Sequence, residues 1–225
     1  MALMQKVTSS NDPNSIGNRM RSRRFQLFSE LIDGLPKPVR IIDLGGTSAF
    51  WKNRGWADRA DVQITVVNLE LEPKIAENLH PVVGDATALT DFDDQSFDVA
   101  FSNSVIEHLF TLEAQRKMAS ETQRVAPAFW IQTPNYWFPM EPHFHMVGWQ
   151  WLPESARVAM IRKRRCGWRG PCPDKEDAIQ AVREVRLMTR RELREAFPSA
   201  EIWQERMFGL TKSHVAYQGF GRTIG

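Results

Sequence analysis

Arg40-Ile41-Ile42-Asp43-Leu44-Gly45-Gly46-Thr47-Ser48-Ala49-Phe50 runs from a β-branched strand into an acid and then a glycine turn. In a doubly wound sheet, ligands bind at the carboxyl ends of strands where the order switches, which is where such a turn belongs. Glycine there lets the backbone come close to a ligand, because no Cβ intervenes. Upstream, Phe25, Phe28, Leu31, Ile32 and Leu35 recur at helical spacing, with Gly34 as a stop. Downstream, Val62 to Leu69 predicts a second strand and Pro81-Val82-Val83-Gly84 a brief third. Phe97 to Ser102 and Ala128 to Gln132 predict a fourth and a fifth. Between those two, Val105 to Val125 carries a helical pattern. Pro153 to Ile161, Asp174 to Met188 and Arg190 to Phe197 read as helices. Ala200 to Arg206 and Thr211 to Tyr217, joined through Phe208-Gly209, read as a closing hairpin.

Strands alternating with helices predict an α/β fold: a doubly wound parallel sheet with helices on both faces, hence three layers. The 225 residues suit one domain and a core that needs no staples. Within it we expect an N-terminal helical segment over 1–37, a core over 38–132, an insertion over 133–188, and a closing helix and hairpin over 189–225. A hydrophobic share of 42% and a charged share of 25% exclude a disordered or fibrous chain. No apolar run approaches the roughly 18 residues of a spanning helix. Met1 to Pro13 lacks the apolar stretch of a secretory signal. Cys166 and Cys172 cannot build a disulfide framework, so a reducing, cytoplasmic setting is the expectation.

Lys plus Arg number 29 against 27 Asp plus Glu, but the charge is unevenly spread. Lys6, Arg19, Arg21, Arg23 and Arg24 face only Asp12 in the first 24 residues. Arg157, Arg162, Lys163, Arg164, Arg165 and Arg169 form a second basic run. Either run could meet phosphate, an anionic lipid surface or nucleic acid, or be a solvated face.

The chemistry sits at the strand ends. The GxGxxG fingerprint is absent, which argues against a nicotinamide dinucleotide. The acid within the turn argues against a phosphate and suits a ligand with an amino group or a sulfonium. The second strand ends Val67-Asn68-Leu69-Glu70, and an acid there can accept from both ribose hydroxyls. The third ends Gly84-Asp85-Ala86-Thr87, where an Asp can accept from an adenine amine. The fourth runs into Asn103-Ser104-Val105-Ile106-Glu107-His108-Leu109. Each piece alone is weak; the four in order are far more specific. There is no GxSxG elbow and no Walker lysine to compete.

With these residues the chain resembles the class I S-adenosylmethionine-dependent methyltransferases of the small-molecule type, over roughly residues 38–135. The resemblance implies a Rossmann-like seven-stranded sheet whose last strand is antiparallel. It implies S-adenosylmethionine as cofactor and S-adenosylhomocysteine as product. It places Asp43, Gly45, Gly46 and Thr47 by the methionine end, and Glu70, or Asn68 with Leu69, at the ribose. It places Asp85 with Ala86 at the adenine, and Asn103 with Ser104 near the sulfonium. The sequence departs from the family's glycine pattern at Thr47 and Ala49, which tightens the turn. Asn68 holds the place of the usual ribose acid, with Glu70 two residues later.

From Phe129 to Trp151 the chain is rich in aromatic residues, and Pro134, Pro139 and Pro142 forbid a regular helix. A loop this long after a strand's carboxyl end reads as a wall of the acceptor site; the competing reading is a hydrophobic cluster that packs the late helices. Methyl transfer to a hydroxyl needs a proton removed, and histidine suits that task. His143 is the expected base, with His108 and His145 as the other candidates; one of the two loop histidines is expected to face the pocket. Glu141, His143 and His145 match no standard zinc spacing, so no metal is expected. His80 and His214 read as structural, and Glu107 as either a helix-start charge or a catalytic carboxylate.

The sequence therefore predicts a cytoplasmic methyltransferase acting on a small, amphipathic acceptor, at oxygen: a sugar, a lipid-linked molecule or a similar metabolite. The neighbouring tryptophans and basic residues leave peripheral membrane contact open. An RNA methyltransferase using the basic runs is the rival enzyme, although Ser102-Asn103-Ser104-Val105 lacks the D/N-P-P-Y/F tetrapeptide of base methylation, so nucleic acid is disfavoured. A noncatalytic partner protein that binds S-adenosylmethionine is the rival from another class.

Overall fold

The computed structural model describes residues 15–224, so Lys6 and Asp12 of the first basic run lie outside the described residues. The chain begins with helix α1 (Ile16–Asp33) and strand β1 (Val39–Leu44), then a short helix α2 (Ser48–Asn53). Strands β2 (Val62–Asn68), β3 (Leu79–Val83) and β4 (Val99–Asn103) follow, then helix α3 (Leu112–Val125) and strand β5 (Ala128–Pro134). The insertion holds a small hairpin, β6 (Met140–Glu141) and β7 (Met146–Val147), and helices α4 (Glu154–Lys163) and α5 (Lys175–Arg183). Helix α6 (Arg190–Ala196) and strands β8 (Glu201–Met207) and β9 (Leu210–Gln218) close it.

Seven strands form one sheet in the order β3-β2-β1-β4-β5-β9-β8. Strands β1 to β5 run parallel to one another, and β9 is antiparallel to both β5 and β8. The order reverses between β1 and β4, so the carboxyl ends of those strands flank the switch-point crevice.

The period of two along each strand divides the core. Val39, Ile41, Val62, Ile64, Val99, Phe101 and Trp130 face one layer, which holds Phe28, Leu31 and Ile32 of α1 with Trp51 and Trp56. Ile42, Leu44, Val67, Ala100, Phe129 and Ile131 face the other, with Met118 and Ala119 of α3 and Leu193 of α6. Strands buried on both faces are what the β-branched runs predicted. A third cluster joins Phe144 and Trp149 of the insertion to Val158, Ile161, Ala178 and Val182 of α4 and α5. The hydrophobic-cluster reading of the aromatic loop therefore describes these two residues, while Trp137 and Trp151 remain exposed.

Three sequence readings need correction. The helical pattern from Val105 is not one helix: a 3-10 turn (Ile106–His108) ends at Phe110, with φ +53°, and Thr111 caps a new helix at the amide of Ala114. The helix expected to reach Met188 stops at Arg183. Strand β2 ends at Asn68, so Glu70 lies beyond the pleat and its direction does not follow from strand alternation. The short helix α2, directly after the glycine turn, was not foreseen; one and a half turns are too few to show a period.

Candidate functional site

The first half of the site is the turn after β1. Gly45 adopts φ +76°, a left-handed backbone that favours glycine, and a Cβ there would lie 2.4 Å from Val105 Cγ1. A Cβ on Gly46 would lie 1.8 Å from Asp43 Oδ2. The turn is thus folded directly over the Asp43 carboxyl. Gly45 N–H donates to Val67 O at 2.8 Å, and Asn68 Nδ2 donates to Gly46 O at 3.0 Å. Thr47 caps α2, its Oγ1 accepting from Phe50 N at 3.2 Å.

Asp43 is 1% exposed. Its Oδ2 accepts from Trp51 Nε1 at 2.7 Å, whereas Oδ1 is buried without a partner. Burial pushes this carboxyl up to about 7, against the pull of the Trp51 hydrogen bond. Its folded value lies above its unfolded one. Stability from this group is therefore complete below about pH 4 and is lost as pH rises to about 7. Asp43→Asn keeps an acceptor for Trp51 and removes the charge. Its melting temperature relative to wild type is expected to rise from pH 4 to pH 7 and then level off. A pH series of melts with a constant difference would refute the buried charge.

The other strand ends line the same edge. Asn68 is occupied within the protein, since its Oδ1 also accepts from Leu69 N at 2.8 Å. Leu69 is 73% exposed and Glu70 is also exposed. These two stand in solvent beyond the strand end, while Asn68 ties β2 to the glycine turn. Asp85 Oδ1 accepts from both the amide and the hydroxyl of Thr87 at 2.8 Å, and Ala86 is buried beside it. Asn103 Oδ1 accepts from Arg24 Nη2 at 3.1 Å. Ser104 takes φ +59° and its Oγ donates to Gln132 Oε1 at 2.8 Å, which turns the chain sharply out of β4. An orphaned buried carboxylate oxygen, a glycine turn and exposed acids at the next strand ends fit a ligand with an amine at one end and a nucleoside at the other.

Arg24 was not foreseen. By sequence it belongs to the first basic run, yet it is 5% exposed. Its Nη1 donates to both oxygens of Glu205 at 2.9 Å. That removes it from the surface that could contact phosphate.

The second half of the site gathers beyond β4 and β5. Glu107 is fully buried; Thr133 Oγ1 donates to its Oε2 at 3.0 Å, and its Oε1 has no partner. Burial pushes the Glu107 carboxyl up to about 7. The His108 and His143 rings stand perpendicular with centroids 4.8 Å apart. Burial, helped by His143, brings His108 down to about 4. Glu141, 1% exposed, accepts from His143 N at 2.7 Å, Phe144 N at 2.6 Å and His143 Nδ1 at 2.7 Å. Burial pulls His143 down, but the Glu141 hydrogen bond and charge outweigh it and the net shift is upward. Of the three histidines expected here, His108 and His143 meet; His145 instead packs edge-on against Trp168 at 5.0 Å. His80 bonds Gln63 Oε1 on the neighbouring strand at 2.8 Å, and His214 is buried in β9.

Glu141 also lines a cavity of about 470 Å³, with Tyr136, Phe144, Trp149, Gln150 and Arg157 among its walls. Trp149 Nε1, Gln150 Oε1 and Arg157 Nε are buried there without partners. Glu154, Arg183, Arg186 and Glu192 line it as well, so the cavity is charged as much as aromatic and suits a ligand with both polar and apolar parts.

Residues 45–127 match the family model of the methyltransferase domain. Two uncharacterized proteins, from two strains of Mycobacterium tuberculosis, are each 32% identical over 66 residues. That stretch is 29% of this chain, and it spans only 22% of those curated relatives. Among solved structures, the CurJ carbon methyltransferase is similar with a TM-score of 0.58 and 10% identity, over 96% of this chain and 56% of that one. A protein from Rhodobacter sphaeroides assigned as a Zn-dependent alcohol dehydrogenase has a TM-score of 0.54 and 13% identity, over 87% of this chain and 88% of that one. At such identities the likeness shows the fold, and different chemistries share it.

Proposed function

We propose that this chain is a class I S-adenosylmethionine-dependent methyltransferase that methylates a hydroxyl of a small amphipathic acceptor; residues 45–127 match the methyltransferase-domain model, and the seven-stranded sheet with its antiparallel β9 supports the reading. The observation that carries the acceptor chemistry is the gathering of Glu107, His108, Glu141 and His143 at the carboxyl edge of the sheet, with Glu141 also in the wall of the polar and aromatic cavity.

When bound, S-adenosylmethionine supplies the methyl: the C–S bond breaks with its electron pair left on sulfur, a C–O bond forms, and S-adenosylhomocysteine leaves. The chain's own residues do the rest. The Asp43 carboxyl, through its unpartnered oxygen, gives the ligand's ammonium a counter-charge. Glu70 takes the ribose, Leu69 packs against the ring system, and Asp85 with Ala86 meets the adenine. The cluster draws off the acceptor's proton through His143, a half-buried ring that the Glu141 carboxylate holds in place, while His108 stands on the exposed side. The cavity walls hold the acceptor's apolar body, with Arg157 and Trp149 as donors to its polar groups. Trp137 and Trp151, exposed with ring centroids 6.4 Å apart, lie in the same insertion as the basic helix α4 and suit an acceptor presented at a membrane surface.

The first test is a thermal melt with S-adenosylmethionine and with S-adenosylhomocysteine. At 100 times the dissociation constant a ligand stabilises by about 2.7 kcal/mol, which for this length is a rise of roughly 5–10 °C. No rise with either ligand at millimolar concentration would end the proposal. With a rise in hand, labelled methyl groups should pass into a hydroxyl-bearing, extractable metabolite pool.

A further inference from the structure

We propose that Glu107, His108 and His143 bind one divalent transition-metal ion that keeps an open position for the acceptor hydroxyl. The open position rests on the methyl-transfer reading above; the ion site itself rests on geometry. The three side chains each offer one ligand atom, and those atoms all lie within 4.8 Å of one another. Two imidazoles and a carboxylate suit zinc or another first-row divalent ion. Three protein ligands leave a coordination position free, as reactive rather than structural zinc sites do.

The surroundings are built as the supports of such a site. Glu141 engages His143 Nδ1 at 2.7 Å, which leaves Nε2 as the free ring nitrogen. A carboxylate behind a ligating histidine fixes its tautomer and its orientation. Glu141 is in turn held by two backbone amides, at 2.7 and 2.6 Å. Thr133 on β5 occupies Glu107 Oε2 at 3.0 Å and turns Oε1 loose. That oxygen is the telling one: it is wholly buried and nothing in the protein satisfies it. Burying a carboxylate oxygen without a partner is costly, and a cation is the partner that would repay it. Packing explains His108 against His143; it does not explain the orphaned oxygen.

The sequence hid this site because its ligands come from two segments. Glu107 and His108 leave β4, His143 lies in the turn between β6 and β7, and no local spacing joins them. Glu141 and His145 do not belong to the set: Glu141 supports His143, and His145 turns away to Trp168.

An ion here would lower the pKa of a hydroxyl placed on its open position. The proton would pass to bulk water, and the oxygen would keep the electron pair that forms the new C–O bond. His143 then acts on the acceptor through the ion.

The test is equilibrium dialysis of the chelator-stripped full chain against Zn²⁺, with Co²⁺ as a visible-absorption probe, in the absence of S-adenosylmethionine and of any acceptor. About one equivalent should bind. His143→Ala, His108→Ala and Glu107→Gln should each weaken binding at least tenfold, and His145→Ala should leave it unchanged. Glu141→Gln should weaken it by about 10–100-fold, as loss of an outer support does. Melts of each variant report folding; if Glu107→Gln does not fold, His143→Ala at a partly exposed residue still decides. No stoichiometric uptake by the wild type, or uptake that survives His143→Ala, overturns the site. Because no methyl donor is present, that failure would leave methyl transfer standing. Conversely, an ion bound by a chain that ignores S-adenosylmethionine in the melts would refute methyl transfer and keep the site.

Discussion

Glu205→Ala is expected to lower the melting temperature by roughly 6–20 °C. Arg24 and Glu205 have side chains only 7% and 4% exposed, and they meet at 2.9 Å. Removing one partner of a buried pair strands the other charge and costs about 3–5 kcal/mol; each kcal/mol is worth about 2–4 °C in a chain of this size. Glu205 Oε2 also accepts from Ser213 Oγ at 2.8 Å, so a hydroxyl loses its partner too. The double replacement Arg24→Met with Glu205→Leu should recover most of the loss, because it removes both charges together. A fall of under about 2 °C for the single variant would show that water reaches Arg24. The effect should extend to the cofactor edge, since the same guanidinium holds Asn103 at the end of β4.

His143→Ala is expected to lower methyl transfer by about 10²–10⁴, the usual worth of moving a proton at the reacting group. The shift in melting temperature with S-adenosylmethionine should be unchanged, because the edge proposed for the cofactor, at Asp43, Asn68 and Asp85, is built from other elements. Turnover within about threefold of wild type would remove His143 from the reaction. A lost cofactor shift would instead make it a residue of the fold. Glu141→Gln should give a smaller fall: the ring stays and only its orientation is loosened.

The parallel sheet is legible because its strands are largely buried on both faces and so read as β-branched, mostly apolar runs, as in Val39–Leu44 and Val62–Asn68. The glycine turn and the acids after β2 and β3 could be placed because they are local to strand ends. Three things were not legible, each for its own reason. The pairing of Arg24 with Glu205 spans 181 residues, and a buried arginine reads like a surface one until its partner is known. The break at Phe110 depends on a backbone angle that a bulky side chain gives no sign of adopting. Glu141 and His143 meet because the chain turns tightly after β6, so that one carboxylate catches two amides and a ring; an extended loop would have parted them. The Glu107, His108, Glu141 and His143 cluster is thus made by long connections, whereas the glycine turn and the acids at the strand ends are local, and sequence reads the second kind far better.

The stitching of the glycine turn bears on how the cofactor is chosen. Val67, Asn68, Trp51 and Thr47 fasten Gly45, Gly46, Asp43 and Phe50 by hydrogen bonds within the protein itself. A ligand arriving there has little chain left to order and so forfeits little entropy on binding. The same stiffness works as a filter. A cradle that cannot relax around a bulkier or differently charged guest discriminates by refusal, and leaves adaptation to the aromatic walls on the acceptor's side.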